Sequence, residues 1–448
     1  MRHELSAYVA ALLATAALGM LVSAPAPPAD AAWRYQRGAT TESLTAFALP
    51  DFAEAPEVSL PHRLHAPNTA LWYARRLVLP ADGALTIDAD DGAQVFIDDT
   101  QVPANDRTFP VPAGMSGEHA VTVRVLNNAM AGGLRGVQIL SAADRLAALQ
   151  ADDVLPPVDS LPPADALAFT RRMPASDRSC AFSVWGDSQG GWSTFETLVA
   201  RMSAERSDLS IGVGDLVNDG AQTAAWRRFV DVLAPLARAM PVAPVAGNHD
   251  YDGFYDTLRA THYLALFRPR DARPWFAWSC GPVRFMAIDV NTEFPLGISQ
   301  RSEQAHWIER EVAGPAWRDA RWHVLVVHQP PWSRSWAGYD GDLAVRQWVE
   351  RLAASSSLDV VFSGHSHAYE RLARVAGGRR VHVVISGGAG GALEDADAAR
   401  LDGTGGDRVI VRHHYVRARA TASTLSWEAV DAAGRVLDRH TIGPAAPR

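Results

Sequence analysis

Five polar clusters hold the residues of this chain best suited to chemistry, and each follows a short apolar run. They read Gly186-Asp187-Ser188-Gln189, Gly214-Asp215-Leu216-Val217-Asn218, Gly247-Asn248-His249-Asp250, Val326-Val327-His328 and Gly364-His365-Ser366-His367. Carboxylates, amides and imidazoles are the oxygen and nitrogen donors that suit divalent transition metals. Taken singly, Gly-Asp and Gly-Asn are ordinary turn dipeptides. A single histidine at a strand end is more often a surface hydrogen bonder than a ligand. Five donor clusters in series are another matter, and they point to a polynuclear metal site.

The apolar runs must position those clusters. Cys180 to Trp185, Leu209 to Val213, Val242 to Ala246, His323 to Val327 and Leu358 to Ser363 are short and β-branched or aromatic, which predicts buried strands. In open α/β sheets, ligands bind where strands end. Helical periodicity fills the gaps between them. Phe195, Leu198, Val199 and Met202 make an apolar face behind Ser193-Thr194-Phe195-Glu196, which reads as a capping box. Further helices are expected over Ala224 to Ala237, Ser302 to Val312 and Leu343 to Ala353. β character returns over Val381 to Ile385, Val409 to Arg417 and Thr424 to Val430.

At 448 residues the chain exceeds one ordinary core, so two domains are expected. Residues 32–145 alternate in short runs, such as Leu71 to Leu79, Ala84 to Asp88, Gln94 to Ile97 and Ala120 to Leu126. Without a helical pattern between them, they predict an all-β sandwich. Residues 146–178 are rich in Pro and Asp (Leu155-Pro156-Pro157-Val158-Asp159, Leu161-Pro162-Pro163) and read as a linker. Residues 179–448 then form the cluster-bearing domain.

Residues 1–31 read as a signal peptide, with Arg2 and His3, an apolar Tyr8 to Val22 and a small-residue Ala29-Asp30-Ala31. An exported protein, periplasmic or extracellular, is expected, with no stable membrane span after signal removal. Net charge is −8 and no lysine occurs, which gives no sign of a nucleic-acid-binding or anionic-membrane surface. Export permits a disulfide between Cys180 and Cys280, while their spacing equally allows two buried thiols.

Together the clusters resemble the calcineurin-like metallophosphoesterase superfamily from about Ser179 onward. Gly364-His365-Ser366-His367-Ala368-Tyr369-Glu370-Arg371 and Val327-His328-Gln329-Pro330-Pro331-Trp332 look most like purple acid phosphatases. The resemblance implies a four-layer α/β/β/α sandwich and two divalent or mixed-valence metal ions (Fe, Mn or Zn). It implies Asp187 and His367 on the first metal and Asn248, His328 and His365 on the second, with Asp215 bridging. Such a pair clamps attacking and leaving oxygens and acidifies a water. His249 would be the catalytic residue facing the leaving group. The implied reaction is hydrolysis of a small phosphate monoester by a metal-bound hydroxide. The N-terminal segments Leu60-Pro61-His62, Leu71 to Arg76, Ala93 to Asp98 and Val123 to Asn128 resemble the galactose-binding-like jelly roll. Carbohydrate is a candidate ligand there through Trp72 and Tyr73, although aromatics in strands more often pack in the core.

The chain departs from that family twice. Asp-x-His is usual at the first cluster, where this chain has Asp187-Ser188-Gln189, and Gln189 would be a weak amide ligand. A tyrosine follows the bridging Asp by three residues in purple acid phosphatases. Here the position is Asn218, which would orient His249 through its carbonyl, bind weakly or serve the turn. Asp250, Glu370 and Arg371 are candidates for weak ligation or support, the last two as a mutual pair. Trp192, Tyr251, Tyr255, Trp332, Trp336 and Tyr369 could stack on a nucleobase or aryl group, and Arg334 could meet a second phosphate. His413 and His414 are expected to straddle a late strand. Two rival functions are a phosphodiesterase acting on cyclic nucleotides, nucleotides or glycerophosphodiesters, and a carbohydrate- or surface-binding protein with a decayed site. The presence of all six ligand types and His249 argues against decay.

Overall fold

The computed structural model describes residues 32–39, 47–66, 69–89, 92–102, 108–127, 131–145, 178–251, 259–268, 273–291, 298, 301–395 and 406–443. The expected signal peptide, nearly all of the linker and Tyr255 lie outside the described residues.

The first half is built of strands. They are β1 (Trp33–Arg37), β2 (Glu57–Val58), β3 (Leu64–His65), β4 (Thr69–Leu79), β5 (Ala84–Ala89) and β6 (Ala93–Ile97). After them come β7 (Thr100–Val102), β8 (Phe109–Pro110), β9 (Gly117–Asn127), β10 (Ala131–Gly132) and β11 (Leu134–Leu140). Sheets run β2-β1-β4-β9-β6-β7, β10-β3 and β11-β5-β8. Alternation along β4 and β9 sends Leu71, Tyr73, Val123 and Val125 into one core. Trp72 faces the other way, against Phe47 and Phe96. Both Trp72 and Tyr73 are buried, so both pack.

The second half alternates strands and helices. Parallel strands β12 (Ser179–Trp185), β13 (Leu209–Gly212) and β14 (Val242–Pro244) are separated by α1 (Trp192–Glu205) and α2 (Thr223–Ala239). Next come α3 (Thr261–Phe267), the hairpin β15 (Phe276–Cys280) and β16 (Val283–Ala287), α4 (Glu303–Ala313), α5 (Pro315–Arg318) and β17 (Trp322–Val326). The chain continues through α6 (Leu343–Ser356), β18 (Val360–Ser363), β19 (Tyr369–Ala376) and β20 (Arg379–Ser386). It ends with β21 (Arg408–Ile410), β22 (His414–Thr421), β23 (Leu425–Asp431) and β24 (Val436–Ile442). One sheet is ordered β14-β13-β12-β22-β23-β24, and the other β15-β16-β17-β18-β20-β19-β21.

Apolar contacts hold these elements in place. Phe182, Val184 and Ile211 of the first sheet share a cluster with Phe285, Val324 and Phe362 of the second. Helices α1 and α2 pack through Phe195, Leu198, Phe229 and Leu233 in a separate cluster, and α6 packs through Val345, Val349 and Leu352 in a third. Each helical face repeats at three to four residues, as its sequence requires.

Two local expectations fail. The capping box does not form, because α1 already begins at Trp192, with Gly191 as N-cap and no side-chain cap bond. Ser193 therefore lies within the first turn, and Glu196 pairs with Arg228 of α2 instead. The run from Val409 to Arg417 is two strands, since β21 pairs with β19 while β22 pairs with β12 of the other sheet. His413 sits in the crossing, and His414 opens β22 as a buried residue.

Cys180 of β12 and Cys280 of β15 form a disulfide that links the two sheets across 100 residues. A closed loop of that size restricts the unfolded chain strongly. Replacing both cysteines by serine is expected to lower stability by roughly 2–5 kcal/mol. Denaturant unfolding under non-reducing conditions measures this, and an unchanged midpoint would count against a stabilising bond.

Candidate metal centre

All five clusters fall just beyond the C-terminal ends of mutually parallel neighbours. Asp187 follows β12, Asp215 follows β13, Asn248 follows β14, His328 follows β17, and His365 and His367 follow β18. Within each sheet the parallel pairing aims every one of these loops at the same edge. Asp187 (φ 62°), Asp215 (φ 52°) and His365 (φ 67°) adopt the left-handed backbone conformation. That conformation costs about 1–2 kcal/mol for each L-residue. Three strained ligand positions mark a site whose geometry the surrounding fold imposes.

The donors converge as two groups sharing one carboxylate. Ligand atoms of Asp215, His328 and His365 lie within 4.8 Å of one another, and so do those of Asp187, Asp215 and His367. His328 Nε2 is the hub of the first group. It lies 3.1 Å from Asn248 Oδ1, 3.2 Å from Asp215 Oδ2 and 3.2 Å from His365 Nδ1. In the second group His367 Nε2 is 3.4 Å from Asp187 Oδ1. Backbone carbonyls fix both rings, because His328 Nδ1 donates to Val213 (2.8 Å) and His367 Nδ1 donates to Ala392. Each histidine thus presents Nε2 to the cluster, the arrangement that orients metal-binding imidazoles.

Carboxylates and imidazoles in the cluster shift one another strongly. Burial pushes the Asp187 carboxyl up. Burial acts the same way on Asp215, but the imidazoles of His328, His249 and His365 outweigh it and hold Asp215 below the usual carboxylate range. Burial would lower His328 and His367, yet Asp215 and Asp187 raise each to about 9. His365, buried beside His328, falls well below its ordinary value and stays neutral. Asp187 Oδ2 and His365 Nε2 are buried without a hydrogen bond from the protein. Orphaned acceptors of this kind, in a mixed oxygen and imidazole set, fit Fe, Mn or Zn.

The supporting residues resolve differently from expectation. Gln189 does not present its amide oxygen to the cluster, because its Nε2 donates to Asp215 Oδ2 at 2.7 Å. It therefore holds the shared carboxylate. The Asn218 side chain is exposed, and its backbone carbonyl accepts from His249 Nδ1 at 3.0 Å. His249 N donates to Asp215 Oδ1 at 3.0 Å, which fixes the backbone beside the site. Asp250 is a brace between loops. It accepts from Gly247 N, Leu216 N and Val217 N, while burial and the nearby Asp215 charge push its carboxyl up to about 8. Gly247 must lack a side chain, since a Cβ there would lie 2.1 Å from Asp215 Oδ1.

Glu370 and Arg371 do not pair with each other. As neighbours on β19 they face opposite sides. Glu370 accepts from Ser333, Arg334 and Ser335, whereas Arg371 binds Asp438 at 2.6 Å. Arg334 pairs with Asp407. Among the aromatic candidates, Tyr251 is buried on Asp289 and Tyr369 is buried on Asp438. Trp332 lies beneath Arg346, and Trp192 packs on the α1–α2 cluster. Trp336, half-buried like Trp192 and Trp332, differs in placing its ring 5.2 Å from that of His365.

Sequence reasoning missed the segment after β20. Ala389 N donates to Gly186 O, Gly391 N to Asp187 O, and Glu394 accepts from His367 N. The glycine-rich run Gly387-Gly388-Ala389-Gly390-Gly391 following a strand was the available signal.

The shared carboxylate yields a direct expectation. Metal content per chain, measured after loading and dialysis, should fall at both positions in Asp215→Asn but at one position in His367→Ala. Full retention in Asp215→Asn would show that this residue does not bridge.

Comparisons with known proteins agree with this geometry. Residues 182–369 match the family model described as calcineurin-like phosphoesterase. Purple acid phosphatase 22 of Arabidopsis thaliana is 26% identical over 237 residues, covering 49% of this chain and 52% of that protein. Probable purple acid phosphatase 20 of the same plant is 28% identical over 221 residues, covering 46% and 50%. The chain thus spans about half the length of the curated relatives it matches. The solved structure of purple acid phosphatase PPD1 from yellow lupin (Lupinus luteus) seeds has a TM-score of 0.53 at 16% identity. It covers 87% of this chain and 76% of its own, a likeness of fold. Residues 182–369 are thus similar to the calcineurin-like phosphoesterase family, with purple acid phosphatases among the similar proteins.

Proposed function

We propose that this chain is an exported, dinuclear-metal-dependent phosphoesterase that hydrolyses small phosphate monoesters. The observation that carries the reading is the single carboxylate, Asp215, common to both donor groups. A bound pair of Fe, Mn or Zn ions would clamp phosphoryl oxygens and acidify a water. Asp187 and His367 would hold one ion and Asn248, His328 and His365 the other. Export is supported by the apolar leader and by a disulfide, which persists in oxidising compartments. We read residues 32–145 as a jelly-roll-like, galactose-binding-like sandwich, 146–178 as a linker and 179–448 as a four-layer α/β/β/α domain. With Trp72 and Tyr73 buried, the first of these is read as a packing or orienting module rather than a carbohydrate binder.

His249 completes the chemistry. The Asn218 carbonyl can only accept, so Nδ1 of His249 carries a hydrogen and Nε2 gains one only in the imidazolium. Protonating a leaving group from Nε2 therefore draws on the imidazolium form.

His249→Ala should lower turnover of an alkyl phosphate by roughly 10²–10⁴-fold. Turnover of 4-nitrophenyl phosphate, whose leaving group needs no proton, should fall far less, and metal content should hold. Loss of metal together with activity would instead make His249 a ligand. In parallel assays the aryl monoester should be cleaved faster than its diester, and the reverse order would favour the phosphodiesterase reading.

A further inference from the structure

We propose that Trp336 is the wall on which the leaving group stacks, so that this site prefers phosphate esters of aryl alcohols to those of small aliphatic alcohols. The inference rests on the phosphoesterase reading and names the substrate class of that same site. Trp336 lies with its ring centroid 5.2 Å from the His365 ring, which belongs to the shared donor cluster. A planar group on the ester oxygen would sit one ring thickness from such a wall, whereas a distant ring would miss it. Tyr339 backs the indole at 5.1 Å and also touches His365 at 5.5 Å, so the wall is two rings deep. Tyr339 is buried while Trp336 is half-buried.

The wall is also held in place before any ligand arrives. Buried Glu370 accepts hydrogen bonds from Ser333 Oγ, Arg334 N, Ser335 N and Ser335 Oγ, which anchors the loop immediately before Trp336. On the other side Gly338 has φ 82°, and a Cβ there would lie 2.8 Å from Cε1 of His65. His65 belongs to β3, so the N-terminal half lies close against the loop that carries the indole. Preorganised aromatic surface of this kind binds planar groups with little ordering cost. Stacking on an aromatic side chain is worth about 1–3 kcal/mol by alanine substitution.

Binding of phenylphosphonate and methylphosphonate to the full, manganese-loaded chain tests this without turnover. Wild type should bind phenylphosphonate more tightly. Trp336→Ala should weaken phenylphosphonate by roughly 5–100-fold, following that stacking energy, and leave methylphosphonate unchanged. Trp336→Phe should restore most of the preference. The proposal is overturned by equal losses for both ligands, by no preference in wild type, or by no binding of phenylphosphonate. The phosphoesterase reading fails separately, if wild type shows the Trp336-dependent preference yet hydrolyses neither phenyl phosphate nor ethyl phosphate.

Discussion

Two buried carboxylates, Asp187 and Asp215, with oxygens within 4.8 Å of each other, set the terms for everything around them. Removing such charges from water costs several kcal/mol each unless partners replace the solvent. The fold supplies partners from every side. His367 and His328 stand opposite the two carboxylates, the His365 and His249 backbone N–H groups donate to them, and Gln189 holds the second oxygen of Asp215. The ends of parallel strands bring these separate chain segments to one point. Sheet order, helix crossovers and left-handed turns at three ligand positions all follow from that requirement.

The residues behind the donors carry the requirement outward. Val213 and Ala392 carbonyls choose the ring nitrogen that His328 and His367 present. Asp250 ties the Asp215 loop to the Asn248 loop through three backbone N–H groups. Glu370, deep beneath the loop that follows His328, collects four hydrogen bonds and gives that loop a single shape. The disulfide joins the two sheets at β12 and β15, whose relative placement brings the Asp and His loops together. These are separate devices acting on one geometry.

Much of this could be read from the residues alone, for a local reason. Strand, turn and ligand are adjacent in sequence, so Gly364-His365-Ser366-His367 announces both its element and its chemistry. The same holds for the five buried runs and for the helices over Ala224 to Ala237 and Leu343 to Ala353, whose apolar periodicity is local. What failed depended on distant packing. The partner of Arg371 is Asp438, 67 residues away, and no spacing rule reveals it. Gln189 has the chemistry of a ligand, but a carboxylate 26 residues on takes its amide hydrogen. Among the described loop aromatics of similar sequence context, only the tertiary fold sets Trp336 beside His365. Ser193 and Glu196 carry the letters of a capping box, yet the helix starts earlier than those letters imply.

On this reading Asp215 is shared by two metal positions. Anomalous diffraction from crystals of the manganese-loaded chain tests it most directly. Two peaks should flank the Asp215 carboxylate, one also met by Asp187 and His367, the other by Asn248, His328 and His365. A single peak, or two peaks that Asp215 does not touch, would contradict it.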